Sequence, residues 1–261
     1  MFSSALTALT TTICLNVLCG VAADAESAAA EDFRVSNKVF SGSQKKPLSQ
    51  STTIFLDGVV YDYLDEPDEV IVYDKADGRF VLLDMARKVR AEVTTKEVVA
   101  LTERLQQLAG SQADPFVRFL AAPKFTERYD RDTRELTLSS PWLTYRLVLA
   151  DAVSRAVSQQ YREFSDWYAR LNTILSPGSK PPAARLAVNE ALAKRKATAS
   201  EVRLTLTPKR GFPPKRVEIR SEHQLVPQVA ESDMVRVGQT RQFMDIFQPV
   251  SFQQYREMVG R

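Results

Sequence analysis

Residues 53–64 read Thr53-Ile54-Phe55-Leu56-Asp57-Gly58-Val59-Val60-Tyr61-Asp62-Tyr63-Leu64, two β-rich runs joined by Asp-Gly. Both turn residues tolerate the positive φ that a tight two-residue hairpin requires, so the chain is expected to double back here. The same rhythm continues downstream. Asp65-Glu66-Pro67-Asp68 turns into Val70-Ile71-Val72-Tyr73, and Asp77-Gly78 turns into Phe80-Val81-Leu82-Leu83-Asp84. Val89, Ala91 and Val93 alternate on a last strand. Upstream, Phe33, Val35 and Val39 suggest a first strand, followed by a polar loop around Ser41-Gly42-Ser43 and Gln44–Pro47. Short strands joined by tight turns make an antiparallel meander.

Helices follow. Thr94 with Glu97 is a capping box, and Val98, Leu101, Leu105 and Leu108 share one helical face. Asp114-Pro115 opens a shorter helix that Pro123 ends. Strands are expected at Phe125–Tyr129, Glu135–Ser139 and Leu143–Leu149. The clearest helix then carries Val157, Tyr161, Phe164, Tyr168, Leu171 and Leu175 at spacings of four and three, widened by Trp167 and Ile174. Ser176-Pro177-Gly178 stops it, and Pro181-Pro182 starts another that runs to about Lys196. The end reads as β again at Val202–Leu206, Val217–Ile219, Leu225–Val229 and Met234–Val237, with a short helix begun by Ser251. The expectation is one α+β domain over 26–261: a curved antiparallel β-sheet with helices packed on one face. Its parts are a meander at 32–93, helices at 95–122, strands at 124–150, helices at 152–196, and C-terminal strands at 201–250 before the closing helix.

The first 25 residues read as an address. Ala5–Val21 carries no charge, and Val21-Ala22-Ala23 and Ala23-Asp24-Ala25 both suit a signal peptidase. Cleavage near Ala23 or Ala25 predicts an extracytoplasmic protein, periplasmic or secreted; an uncleaved anchor is the alternative, since the run is just long enough to span a bilayer. Lipidation is not expected, because Leu18 precedes Cys19 and Ile13 precedes Cys14. Both cysteines lie inside this stretch, so the mature chain has no thiol for nucleophilic catalysis, thiolate metal sites or redox pairs. No later segment reads as a transmembrane span.

The chain has one histidine, His223, which excludes multi-histidine zinc sites. Ser221-Glu222-His223-Gln224 gives no sign of a catalytic triad and reads as a solvent-facing or hydrogen-bonded strand histidine. The glycines are isolated, which excludes a phosphate-cradling loop. Ser43-x-x-Lys46 matches the first element of serine–lysine acylases, but the partner motifs are absent. No catalytic constellation, cofactor or metal site is legible, and the expectation is a protein that is not an enzyme. A hydrolase, using His223 or Asp132, ranks last.

Charge is strongly segregated. Between Asp57 and Asp84 nine carboxylates face only Lys75 and Arg79, and the simplest reading is a solvated sheet edge. Asp130-Arg131-Asp132-Thr133-Arg134-Glu135 reads as a hairpin turn. From Lys180 to Arg220 eleven lysines and arginines stand against three glutamates. In an exported protein such a block suits lipid headgroups or another anionic envelope surface, with no nucleic acid partner expected. Tyr161, Phe164, Trp167 and Tyr168 are first of all core. With Phe125, they are also the candidates to line a lipid-sized cavity between helix and sheet. Lys209, Arg210, Lys215 and Arg216 are the candidates to meet an anionic headgroup.

Phe55–Leu108 resembles the exported lipoprotein-carrier-like (LolA-like) superfamily. The likeness is carried by a string of short strands, then Arg79-Phe80-Val81-Leu82-Leu83-Asp84 with Arg87-Lys88-Val89-Arg90, then a helix opening at Thr94-Thr95-Lys96-Glu97. The resemblance implies an open half-barrel with helices in its concave side and a lipid or lipoprotein ligand. The leading expectation is therefore an exported carrier or binder of an amphiphile. An envelope interaction protein with a packed core and no ligand cavity is the alternative.

Overall fold

Asp57 and Gly58 have φ of 54° and 76°, the left-handed pair that closes the hairpin between β2 (Ser49–Leu56) and β3 (Val59–Leu64). The computed structural model describes residues 31–150, 154–176, 181–207 and 217–260. The expected signal stretch and Lys209, Arg210, Lys215 and Arg216 lie outside the described residues. β1 (Phe33–Ser41), β4 (Glu69–Asp74), β5 (Arg79–Asp84) and β6 (Val89–Thr94) complete the meander, each strand antiparallel to the next.

Helices α1 (Thr95–Gly110) and α2 (Pro115–Ala121) follow, each started by the cap that its sequence announces. The Thr94 side chain accepts from Glu97 N–H, and Asp114 accepts from the amides of Phe116 and Val117. Leu108, expected on the buried face, is exposed; Thr102 and Ala109 are buried instead, because the contact stripe drifts around α1.

β7 (Thr126–Asp130), β8 (Glu135–Ser139) and β9 (Leu143–Leu149) lead into the long α3 (Arg155–Leu175) and α4 (Ala183–Lys194). β10 (Ala199–Leu206) and β11 (Val217–Val226) bring the chain back to β1. β1 pairs with β2 on one side and β11 on the other, so both strand groups join in one open twelve-stranded sheet. Its edges are β7 and the two-residue β12 (Gln248–Pro249), which pairs parallel to β6. The chain ends in α6 (Phe252–Val259), capped by Ser251. Among the described residues no helix is long and apolar enough to cross a membrane.

Two apolar clusters share one face of the sheet. Phe33, Phe55, Ile71, Phe80 and Leu82 pack under Val98 of α1, Phe164 and Leu171 of α3 and Tyr255 of α6. Leu136, Leu147 and Val202 pack under Leu120 of α2 and Val188 of α4.

The expectation of helices on one face is corrected by α5 (Glu231–Ile246). This helix lies on the opposite face, where Val237, with Phe247 just past its end, packs on Ile54, Tyr61, Tyr63, Val72 and Leu83. The strand expected at Met234–Val237 is part of this helix. The apolar residues there are too few to define a period, and polar contacts carry much of the docking. Arg34 pairs with Asp233 at 3.1 Å, Tyr63 Oη meets Thr240 Oγ1 at 2.9 Å, and Arg241 Nε donates to Tyr61 Oη at 3.1 Å. Coverage on both sides explains why β3, β4 and β5 are buried almost throughout.

Candidate functional site

Alternate residues of a strand share a face, so Asn37 follows Phe33 and Val35 onto the helix-covered side of β1. Register places Asn37 opposite Ser51 of β2 and opposite His223 of β11. Two residues before His223, Ser221 shares its face; Thr53 and Asp62 are paired on β2 and β3. A polar patch thus interrupts the inward face between the two apolar clusters.

These groups form one hydrogen-bonded chain. Thr53 Oγ1 donates to Asp62 Oδ1 at 2.7 Å and accepts from Asn37 Nδ2 at 3.0 Å; Asn37 Nδ2 also donates to Ser51 Oγ at 3.2 Å. The amide oxygen of Asn37 therefore faces His223 Nδ1, at 2.8 Å, and this nitrogen carries the proton. His223 Nε2 is left to accept from Ser221 Oγ at 3.0 Å. Tyr161 Oη lies 3.2 Å from Nδ1. Burial, reinforced by the positive charge of Arg185, lowers the His223 pKa to about 3. Burial likewise raises the Tyr161 phenol to about 12, and raises Tyr168 well above its ordinary value with the charge of Asp62 adding to the effect.

Helix α3 crosses over this patch, with α4 beside it, and two cavities remain between helices and sheet. The larger, about 600 Å³, lies between α3, α4 and the start of β10. Leu192, Ala193, Ala197, Ala199 and Val202 give it an apolar wall, while Arg155, Arg162, Arg185 and Lys196 supply cations. The smaller, about 300 Å³, lies between α3 and β1–β3 and reaches Asp62. Tyr161, Ser165, Arg185 and His223 border both.

Of the residues singled out as cavity lining, Tyr161 borders both cavities, and Phe164 and Tyr168 border the smaller one. Trp167 packs in the core against Tyr73 and Phe80, at ring distances of 6.1 and 6.4 Å. Phe125 packs against Phe119 and Tyr145 in the second apolar cluster and borders neither cavity. Asp132 sits on the β7–β8 turn, where Asp130 Oδ1 accepts from its amide at 2.9 Å, four strands from His223. Of the nine carboxylates expected along a solvated edge, Asp62, Glu69 and Asp84 are buried instead, at 2%, 2% and 3% exposure. Asp84 pairs with Arg87 at 2.6 Å. Among the described residues no three His, Cys, Asp or Glu side chains converge to hold a metal ion.

The sequence reading passed over Asn37, Ser221, His223 and Arg185 as a set. The available signal was polar residues at inward strand positions, above all Ser221-x-His223, where spacing of two puts both side chains on one face.

Ser221, His223 and Asn37 have the spacing of a serine–histidine–asparagine triad. A general base works best with a pKa near the working pH, and burial with the charge of Arg185 pushes this imidazole well below the usual histidine range, which weakens it as a base. What the arrangement provides is a fixed set of hydrogen-bonding groups beside an apolar wall and a guanidinium. No protein-family model and no curated protein matches this chain.

Proposed function

We propose that this chain is an exported, non-enzymatic protein that binds a hydrophobic or amphiphilic ligand, such as the acyl chain of a lipid or lipoprotein, between its sheet and its helices. The observation that carries this reading is the cavity of about 600 Å³ beneath α3 and α4, walled on one side by Leu192, Ala193, Ala197, Ala199 and Val202. Its size falls within the range of small-ligand sites, roughly 300–1,000 Å³. The open sheet is read as a curved half-barrel, as in the LolA-like superfamily that its meander resembles. The uncharged run Ala5–Val21 within the leader at 1–25 is the basis for export. The basic segment with Lys209, Arg210, Lys215 and Arg216 is proposed to meet an anionic envelope surface.

Burial of each CH₂ contributes about 0.8 kcal/mol, so a single chain binds usefully and reversibly. The alternative, an envelope protein with a fully packed interior, is disfavoured by the two voids at the seam between the apolar clusters. Native mass spectrometry of the gently purified protein is expected to show bound mass that organic solvent removes. The stripped protein is expected to take up a fluorescent fatty acid. A protein that emerges empty and takes up no probe overturns the proposal.

A further inference from the structure

Arg185 is a charged residue that its own helix does not explain. It stands in the first turn of α4, where a cation opposes the helix dipole, so helix stability does not account for it. Its side chain is half-buried and borders both cavities. Among the described residues its guanidinium has neither a hydrogen-bond acceptor nor an ion-pair partner. Of the other cations bordering the larger cavity, Arg162 lies 3.8 Å from Asp166, while Arg155 and Lys196 border that cavity but not the smaller one. Partly desolvating a charge without a partner is costly, and a guanidinium presents a planar fork of donors suited to an oxyanion. No aspartate or glutamate among the described residues borders the larger cavity; the carboxylate bordering the smaller one, Asp62, accepts from Thr53 Oγ1 at 2.7 Å.

The surrounding groups fit the same occupant. The hydroxyls of Tyr161 and Ser165 border the junction of the two cavities beside Arg185. The apolar wall begins about two helical turns further along α4, at Leu192, and continues onto β10.

Resting on the proposed amphiphile-binding role, we infer that Arg185 receives the oxyanion head of the ligand, a carboxylate or a phosphate monoester. The tail then lies along Leu192, Ala193 and Val202. The ligand is thereby held by its head inside the protein, at the meeting point of the two cavities.

The test uses the solvent-stripped full mature chain and three probes with one 14-carbon tail: the carboxylate, the monophosphate and the alcohol. Calorimetric titration is expected to show at least one anionic head binding about tenfold or more tightly than the alcohol, as a charge-assisted hydrogen bond warrants. The carboxylate and phosphate arms identify which oxyanion fits. Arg185→Gln should bring the three affinities together within about threefold while leaving the alcohol unchanged, and Arg185→Lys should keep part of the preference. Thermal melting of Arg185→Gln should match or exceed the parent, because a charge without a partner has been removed. Equal binding of alcohol and both anions by the parent overturns the head assignment and leaves the cavity reading intact. A preference that survives Arg185→Gln does the same. Failure of all three probes to bind overturns both.

Discussion

A histidine surrounded by Arg185, the Asn37 amide and the hydroxyls of Ser221 and Tyr161 gains nothing from a proton. The sign of the linkage follows. In the unfolded chain His223 takes up a proton as pH falls below about 6.5, whereas in the folded chain it stays neutral down to about 3. The unfolded state therefore binds more protons throughout that window, and stability falls as pH falls. Asp62 is linked to His223 through Thr53 and Asn37. Denaturant unfolding at pH 7, 6 and 5 should lose stability for the parent by up to about 1 kcal/mol per pH unit. His223→Gln, which keeps a donor and an acceptor, should be flatter over the same interval; parallel slopes would rule this out. The histidine's hydrogen-bonded state was among the readings the sequence allowed, but its partners were not legible. Asn37 and Ser221 reach it through the β1–β11 register, and register depends on which distant strands pair.

At the level of elements, local signals were read well wherever local chemistry decides the outcome. Asp57-Gly58 turns as its composition requires, Thr94 and Ser251 cap their helices, and the aromatic helix runs over Arg155–Leu175. The failure at α5 has a physical cause: its buried positions include Asp233 and Thr240, which carry no apolar signal. The indirect sign lay elsewhere, in the continuous runs Val70–Tyr73 and Phe80–Leu83, since a strand apolar at every position needs cover on both faces. Two neighbouring valines separate helix from strand by experiment. On a strand, Val235 and Val237 would share one face; on α5 they differ, with Val235 57% exposed and Val237 1%. Val237→Ala should cost about 2 kcal/mol by urea unfolding, while Val235→Ala should stay within about 0.5 kcal/mol. Equal losses at both positions would return the segment to a strand. Thr240→Val should cost about 1–2 kcal/mol, because it leaves the buried Tyr63 hydroxyl without its partner.

Across the whole molecule, the candidate site is a consequence of joining two half-sheets through one strand. β1 and β11 bring together the meander and the later strands, and each half packs its own apolar cluster beneath its own helices. Leu225 of β11 packs against the first cluster, but the inward residues beyond it at the seam include Asn37, Ser51, Ser221 and His223. Space therefore remains under α3 and α4, beside the hydrogen-bonded chain of Asn37, Ser221 and His223 and beside Arg185. If that space exists to be filled by a ligand tail, filling it with protein should separate capacity from stability. Ala193 is the position for this, as it borders the larger cavity from α4 and its replacement by leucine keeps a strong helix former. Ala193→Leu should melt at or above the parent temperature, because the added methyl groups bury into existing space without forcing neighbours apart. The same substitution should weaken the 14-carbon carboxylate and the alcohol alike, by about tenfold, since it removes room for the tail they share. That pattern differs from the one expected of Arg185→Gln, which changes only the preference between heads. A variant that is stabilised yet binds both probes as before would mean that the tail lies elsewhere.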